Sequence, residues 1–359
     1  MKPKAPTAQY EATHAAAPTL ANHTRSSPLT ALRSLDRGFL ALLVLFVAFA
    51  PLVTHRIYAS DEIQYFSYTH SLFFDRDLDF SNQYLYFCNV DKVKFADFCR
   101  DLYGKREPAT GLPINVAPIG TGLFWLPPFA ITHAGVLLAR ALGARVQADG
   151  FSPPYIYAIT WASYAYGCAG LFLCYLLARR LFGSGLAALA VITAWLATSV
   201  IFYTVVAPPW SHATSLLTVT LFLWLWYRTR RPEGRTLKEW ALLGAAAGAM
   251  MLVREQDALF MIVPAIEVAV ILLVAIRIHS SRDQGSGIRD QDPPPSLTPG
   301  PRPLTLILGL ATMVVIAAIV FIPQLTAYRV ITGHFGPSNV VSGKFFWTYR
   351  KFVLLVLCV

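Results

Sequence analysis

Long uncharged apolar runs, separated by short polar segments, occupy most of this chain. A helix needs about 20 apolar residues to cross the hydrocarbon core of a membrane, and lipid offers no partners for unpaired backbone groups. The pattern therefore predicts an all-α, polytopic transmembrane protein. The apolar runs span about residues 38–58, 117–142, 156–178, 186–207, 212–227, 240–253, 258–276 and 304–326.

Composition and charge support the membrane assignment. The chain has 359 residues, of which 55% are hydrophobic and only 14% charged, whereas soluble domains are about 45–50% apolar and about 25% charged. A net charge of +10 is also typical of nucleic-acid-binding proteins. Basic residues retained in cytoplasmic loops explain it better, because no basic stripe with interleaved aromatics is present. No nucleic-acid partner is expected.

Three segments stand outside the predicted helices. Residues 1–37, rich in Ala, Pro, Thr and Ser, predict a disordered cytoplasmic tail. Residues 277–303, rich in Pro, Gly and Ser, predict a disordered cytoplasmic linker. The chain ends in the apolar sequence VLLVLCV, which is too short to span. The transmembrane domain of residues 38–359 is therefore expected to be a truncated piece of a longer parent, which leaves its activity open.

Basic residues next to the first run predict its orientation in the plasma membrane. Arg33 and Arg37 precede this run and would hold the N-terminus in the cytoplasm. The first helix then leads outward. Residues 59–116 are accordingly predicted to form a long external loop.

Two further basic segments test this orientation. Residues 228–238 and the Arg179–Arg180 pair are both expected to be cytoplasmic. Both reach that side only if one apolar run fails to cross. The run 117–142 is the expected exception, because Pro118, Pro127 and Pro128 interrupt it.

The predicted external loop opens on the acidic motif Ser60-Asp61-Glu62. Ser60 is a predicted N-cap, which would put both acids in a first helical turn, where the helix dipole favours the ionised carboxylate. An anionic carboxylate there could accept a proton from an incoming hydroxyl or amine. Alternatively, the two acids only cap the helix and mark the water boundary. Apolar residues that follow at helical spacing predict a helix on the membrane surface, namely Ile63, Phe66 and Phe73.

The motif Asp-Glu-x-x-Tyr, formed by Asp61, Glu62 and Tyr65, resembles the GT-C membrane glycosyltransferases. The likeness is greatest to the lipid A aminoarabinose transferases and the protein O-mannosyltransferases of the glycosyltransferase family 39 type. The segment NVAPIGTGLFWLPPF, residues 115–129, is similar to the stretch after the first loop of that family. The resemblance implies a GT-C fold and a sugar donor carried on polyprenyl phosphate. It also implies that Asp61 is the catalytic base, that Glu62 of the same motif belongs to the catalytic residues, and that Tyr65 binds substrate.

The chain departs from this family where the carrier phosphate is expected to bind. Family members often place a lysine before the proline of the second motif, and Ala117 stands there in this chain. Phosphate contact is therefore expected from Lys105, Arg106 or Arg254. Arg254 lies between two apolar runs, where an ionisable residue is usually functional or paired. A simple pair with Asp257 is the alternative interpretation.

Two other polar features have open interpretations. His212, between two apolar runs, is either structural or binds an acceptor or a phosphate. The sequence Asp75-Arg76-Asp77-Leu78-Asp79 contains overlapping Asp-x-Asp patterns that could hold a divalent metal. A polar turn is the favoured interpretation of these patterns. A lipid monophosphate donor does not need such a metal, so no cofactor is expected.

Two cysteines, Cys88 and Cys99, lie in the predicted external loop. Disulfides persist on the oxidising side of a membrane, so a bond between them is predicted. The alternative is two unpaired small residues packed against loop aromatics.

Together these features favour an inverting glycosyltransferase with an Asp general base at the outer face of the plasma membrane. It would move a sugar from a polyprenyl-phosphate carrier to a lipid, glycan or protein acceptor, with membrane lipid as a further partner. A membrane transporter is an alternative, although no internal repeat is evident. A non-catalytic polyprenyl-lipid-binding protein is another.

Overall fold

The computed structural model describes residues 36–57, 59–284 and 303–339. These residues confirm the predicted all-α class, with one isolated β-bridge between Arg106 and Pro113. The helices are α1 (Arg37–Phe49), α2 (Ser60–His70), α3 (Ser81–Val90), α4 (Ala96–Phe98), α5 (Gly120–Ala141), α6 (Pro153–Phe182), α7 (Ser184–Leu196), α8 (Ser211–Arg228), α9 (Leu237–Val253), α10 (Ile262–Gln284) and α11 (Pro303–Thr332).

The boundaries of the predicted tail and linker differ slightly from the helix ends. Arg37, assigned to the tail, is the first residue of α1, and residues 1–35 lie outside the described residues. Helix α10 continues to Gln284, so a linker beginning at residue 277 is wrong. The first helix-breaking residue after the apolar run is Gly285, which explains why the helix extends that far. Residues 285–302 and 340–359 also lie outside the described residues.

Four of the described helical segments are long and apolar enough to cross a membrane, which confirms the polytopic prediction. Two shorter apolar helices, Arg37–Leu52 and Ser184–Leu196, accompany them. Many large apolar side chains on these helices are exposed, as expected of surfaces that lipid covers. The four segments are Gly120–Ala141, Pro153–Phe182, Glu255–Arg277 and Pro303–Thr332.

Residues 59–116 form a packed helical segment, called here the external segment after its predicted location. Its many aromatic side chains pack into one apolar core together with side chains of α5, α6 and α11. Residues 62–70 of α2 are all buried, and Phe66 contacts the rings of Phe87, Phe129 and Phe151. The prediction that the apolar stripe of α2 lies on the membrane surface is therefore wrong.

The predicted disulfide between Cys88 and Cys99 is confirmed. The two Cα atoms are 5.8 Å apart, within the range that a disulfide requires. The bond joins α3 to the turn that follows α4. It therefore fixes the outer part of the external segment through a covalent link.

The start of α5 and the loop that follows this helix both contact α2. At its start, the Thr69 hydroxyl donates to the carbonyl of Gly122 at 3.0 Å. After its end, the Asp149 carbonyl oxygen is 3.0 Å from His70 Nε2, and the Phe151 ring stacks on His70 with 4.1 Å between centroids. The chain thus returns to the side from which α5 starts, as a non-crossing run requires, although α5 is long enough to span.

Two of the three prolines expected to interrupt this run, Pro127 and Pro128, lie inside a continuous helix, so the expected interruption at these positions is wrong. Pro128 has no N–H to donate to the carbonyl of Phe124 four residues earlier. The hydroxyl of Tyr166 donates to that carbonyl at 2.7 Å instead. A neighbouring helix therefore satisfies the group that the proline leaves free.

Helices α8, α9 and α10 run back and forth between two polar ends. At one end, Arg254 contacts His212 at the start of α8. At the other end, Arg230 and Arg235 both form ion pairs with Glu267 of α10. Helix α8 has 18 residues, so these ends are about 27 Å apart. The protein therefore has two polar regions separated by roughly the thickness of a bilayer core.

We expect the external segment and the loop of residues 229–236 to lie on opposite sides of the membrane. A membrane-impermeant maleimide should label a Val93→Cys variant in intact cells, because Val93 is 90% exposed. A Glu233→Cys variant should be labelled only after the cells are opened, as the basic loop is expected inside. Wild-type protein, with Cys168 and Cys174 partly buried, sets the background. Labelling of both variants in intact cells would refute this topology.

Candidate active site

The N-terminus of α2 is capped differently from the prediction. Ala59 is the N-cap, so the expectation that Ser60 caps this helix is wrong. Glu62 provides the reason, because its Oε2 accepts a hydrogen bond from the Ala59 N–H at 2.9 Å. A Glu at the third helical position satisfies the N-cap N–H in a capping box. Glu62 is fully buried. Its capping hydrogen bond stabilises the helical turn that carries Asp61.

Asp61 and Tyr65 are one helical turn apart and share a face of α2. Tyr65 is buried, and its hydroxyl donates to Ser211 Oγ at 3.0 Å. The pKa of Tyr65 is raised to about 12, mainly because the phenol is buried. The charge of Asp61 also raises this pKa, whereas the hydrogen bond to Ser211 and the charge of Arg254 lower it. Ser211 directly precedes His212, which contacts Arg254. Asp61, Tyr65 and Arg254 therefore belong to a single cluster.

Arg254 ends α9 as its C-cap, with extended backbone angles. Its Nη1 is 2.5 Å from His212 Nδ1. The Gln256 amide is oriented so that its oxygen accepts from Arg254 Nη2 at 2.6 Å and from Arg254 Nε at 3.0 Å. Asp257 accepts from Ser215 Oγ at 2.6 Å instead, so the alternative Arg254–Asp257 pair is not formed. Within the described part of the chain, no carboxylate lies within ion-pair distance of this half-buried guanidinium.

His212 is oriented from two sides. Its ring stacks on Tyr203 with 3.7 Å between centroids. Because a guanidinium only donates, Nδ1 must be the acceptor from Arg254 and Nε2 carries the proton. A largely apolar cavity of about 230 Å³ lies beside this ring. Its lining includes Val200, Tyr203, Leu216, Val219 and Phe260.

The structure does not bring Lys105 or Arg106 to this cluster. Both are exposed; Lys105 Nζ is 3.1 Å from Asp101, and Arg106 Nη1 donates to Ser81 Oγ at 3.0 Å. Of the three cations considered for the carrier phosphate, Arg254 alone lies with Asp61. Tyr65 and His212, also predicted, lie with it.

The segment after the external segment joins α2 to the membrane helices. Gln64 Oε1 accepts from the Val116 N–H at 2.7 Å, and Gln324 Oε1 of α11 accepts from the Ile119 N–H at 2.7 Å. Gly120 packs directly on the backbone of Leu252, two residues before Arg254. These contacts are what bring the end of α9 beside the first turn of α2.

Sequence reasoning missed several of the polar residues that surround the cluster. Tyr328 of α11 donates to Glu255 Oε1, next to Arg254. Gln324, one turn earlier, is fully buried. Gln324 lies inside an otherwise apolar run, and a buried polar residue in such a run is a signal that could have identified it.

The Asp-x-Asp patterns form a polar turn. Asp77 Oδ1 accepts from Ser71 Oγ at 2.7 Å and from the Asp79 N–H at 3.1 Å. Asp75 Oδ2 accepts from Gln83 Nε2 at 2.6 Å. Within residues 36–57, 59–284 and 303–339, no group of three or more His, Cys, Asp or Glu side chains is arranged to hold a metal. These hydrogen bonds support the turn interpretation.

Residues 155–282 match the family model described as dolichyl-phosphate-mannose-protein mannosyltransferase. The matched stretch runs from α6 into α10 and includes Ser211, His212 and Arg254, but not Asp61. No curated protein and no solved structure matches the chain. The match confirms the resemblance to the GT-C superfamily of glycosyltransferases. In general terms it supports an integral membrane glycosyltransferase that uses a polyprenyl-phosphate sugar donor and a protein or glycan acceptor.

Substituting Gly120 should disturb the packing of α5 against the end of α9 at this site. A Cβ on Gly120 would overlap the Leu252 carbonyl, so a Gly120→Ala variant should lose about 1–3 kcal/mol of stability through overpacking. Gly135 lies on the same helix with open space around it, which makes Gly135→Ala the matched control. Thermal unfolding in detergent should show a lower Tm for Gly120→Ala only. Equal Tm values for the two variants would contradict the close packing described here.

Proposed function

We propose that this protein transfers a sugar from a polyprenyl-phosphate carrier to an acceptor at the outer face of the plasma membrane, with inversion and with Asp61 as the general base. The observation that carries the proposal is the cluster of Asp61, Tyr65 and Arg254, which the Tyr65–Ser211 and Arg254–His212 contacts connect. The Asp61 carboxylate and the Arg254 guanidinium thus belong to one cluster, and no carboxylate in the described part of the chain forms an ion pair with this guanidinium. A base and an anion-binding cation are the two groups that this reaction needs.

The donor phosphate would bind at Arg254. A guanidinium presents several N–H donors in a fixed plane and suits phosphate recognition, while His212 and Gln256 hold its orientation. The apolar cavity beside His212 would take the first part of the polyprenyl chain. A charged group next to an apolar cavity at a helix end suits a lipid phosphate.

The reaction would proceed by one displacement. Asp61 accepts the proton from the acceptor hydroxyl or amine, and the acceptor atom forms a bond to the anomeric carbon. The bond from that carbon to the phosphate oxygen breaks, and its electron pair leaves with polyprenyl phosphate. Arg254 stabilises the charge on this leaving group. A single displacement inverts the configuration at the anomeric carbon.

Two observations support an outer-face site and a cytoplasmic N-terminus. The disulfide between Cys88 and Cys99 lies in the external segment, and disulfides persist in oxidising compartments. The basic loop of residues 229–236 lies at the opposite end of the helices, and basic loops are retained in the cytoplasm.

An Asp61→Asn variant should lose sugar transfer while it still inserts into the membrane and binds the carrier. The change removes the base and keeps the side-chain shape, and loss of a general base costs about 10²–10⁴ in rate. Transfer would be measured with purified protein and a panel of radiolabelled polyprenyl-phosphate sugars.

An Asp97→Asn variant is the matched control for this experiment. Asp97 is exposed in the same external segment and forms only a surface ion pair with Arg100, which contributes little to stability. The control should transfer at the wild-type rate. Near-normal turnover by Asp61→Asn would show that Asp61 is not the general base. Carrier binding without transfer by wild-type protein would indicate a non-catalytic lipid-binding protein instead.

A further inference from the structure

A second cavity lies at the other polar end of the helices, about 27 Å from the candidate active site by the length of α8. Its volume is about 410 Å³. Basic side chains dominate its polar lining, with one acid among them. The lining includes Arg230, Arg231, Arg235, Glu267, Ile271 and Leu306.

The inner wall of this cavity is fixed by Arg235. Its side chain is only 5% exposed, and it donates to Glu267 Oε2, Thr229 Oγ1 and the Trp226 carbonyl, each at 2.8 Å. The indole N–H of Trp226 donates to the same Glu267 oxygen at 2.7 Å. Arg235 therefore neutralises the charge of Glu267, and these hydrogen bonds hold the inner wall in place.

The outer wall carries two arginines with free donors. Arg230 donates from Nε to Glu267 Oε1 at 3.0 Å, and Arg231 donates from Nη2 to Glu239 Oε1 at 2.5 Å. The other guanidinium N–H groups of both residues have no hydrogen-bond partner in the described part of the chain. Their side chains are 51% and 54% exposed. The cavity therefore presents unused N–H donors and excess positive charge.

The floor of the cavity is apolar and continues onto lipid-facing helix surface. Ile271 of α10 and Leu306 of α11 line it, and Leu304, Ile307 and Leu308 are exposed beside them on α11. Such an apolar floor contributes no binding free energy for a small inorganic anion. A molecule with an anionic head and apolar chains satisfies both parts of the cavity.

We propose that this cavity binds the headgroup of an anionic phospholipid from the cytoplasmic leaflet. Its phosphate would lie between Arg230 and Arg231, and its acyl chains would follow the apolar surface of α10 and α11. Basic pockets between transmembrane helices on the cytoplasmic side are suited to such headgroups. The site is separate from the candidate active site and does not depend on the proposed transfer reaction.

Native mass spectrometry of the detergent-solubilised full chain, titrated with phosphatidylglycerol or phosphatidylcholine, tests this proposal. Wild-type protein should retain one phosphatidylglycerol at least about tenfold more tightly than phosphatidylcholine. An Arg230→Gln, Arg231→Gln double variant should lose this preference. Both residues are half-exposed, so the variant should keep the wild-type Tm.

Arg228→Gln serves as the matched control, because Arg228 lies in the same basic region but does not line the cavity; it should bind phosphatidylglycerol like wild type. Equal affinity of wild-type protein for the two lipids would overturn the proposal. An unchanged preference in the double variant would also overturn it. Displacement of phosphatidylglycerol by millimolar inorganic phosphate would show a site for free anions and not for a lipid.

Discussion

The candidate active site depends on one interaction, the fixation of the half-buried Arg254 guanidinium, which forms no ion pair with any residue that the structure describes. Arg254 is held by His212 Nδ1 and by the Gln256 amide, both neutral groups. Desolvating a cation costs free energy unless a charge offsets it. Two neutral acceptors orient Arg254 but do not neutralise it, so its positive charge stays available to an anion. A phosphate is the anion that the family resemblance leads one to expect there.

The rest of the fold brings Asp61, the proposed base, into the same cluster as this cation. Asp61 sits on the first turn of α2, and Glu62 stabilises that turn by capping it. Hydrogen bonds from the following segment to Gln64 and Gln324 fix α2 against the membrane helices. The close contact of Gly120 with the end of α9 completes the arrangement. Residues that are far apart in the sequence thereby surround one phenol, that of Tyr65.

Sequence alone predicted the features that depend on composition or on local pattern. The apolar runs predicted the helices, and the Asp-Glu-x-x-Tyr motif predicted which acid to examine. The basic loops led to the expectation that the run of α5 does not cross the membrane, and that expectation stays a prediction. The prolines inside α5 do not break the helix, because Tyr166 on α6 satisfies the Phe124 carbonyl. Contacts of that kind, like the choice of Arg254 over Lys105 and Arg106, depend on tertiary packing. No local pattern encodes which of three basic residues will lie beside Asp61.

Equilibrium binding of a short-chain polyprenyl phosphate to purified protein tests the central claim most directly. Wild-type protein would be compared with Arg254→Gln and Lys105→Gln variants in the same detergent. A hydrogen bond to a charged group contributes about 1.5–3 kcal/mol, so Arg254→Gln should weaken binding roughly 10- to 100-fold. Lys105→Gln should bind like wild type, because Lys105 is exposed and paired with Asp101. Unchanged affinity in Arg254→Gln, or a loss in Lys105→Gln alone, would contradict the placement of the phosphate at Arg254.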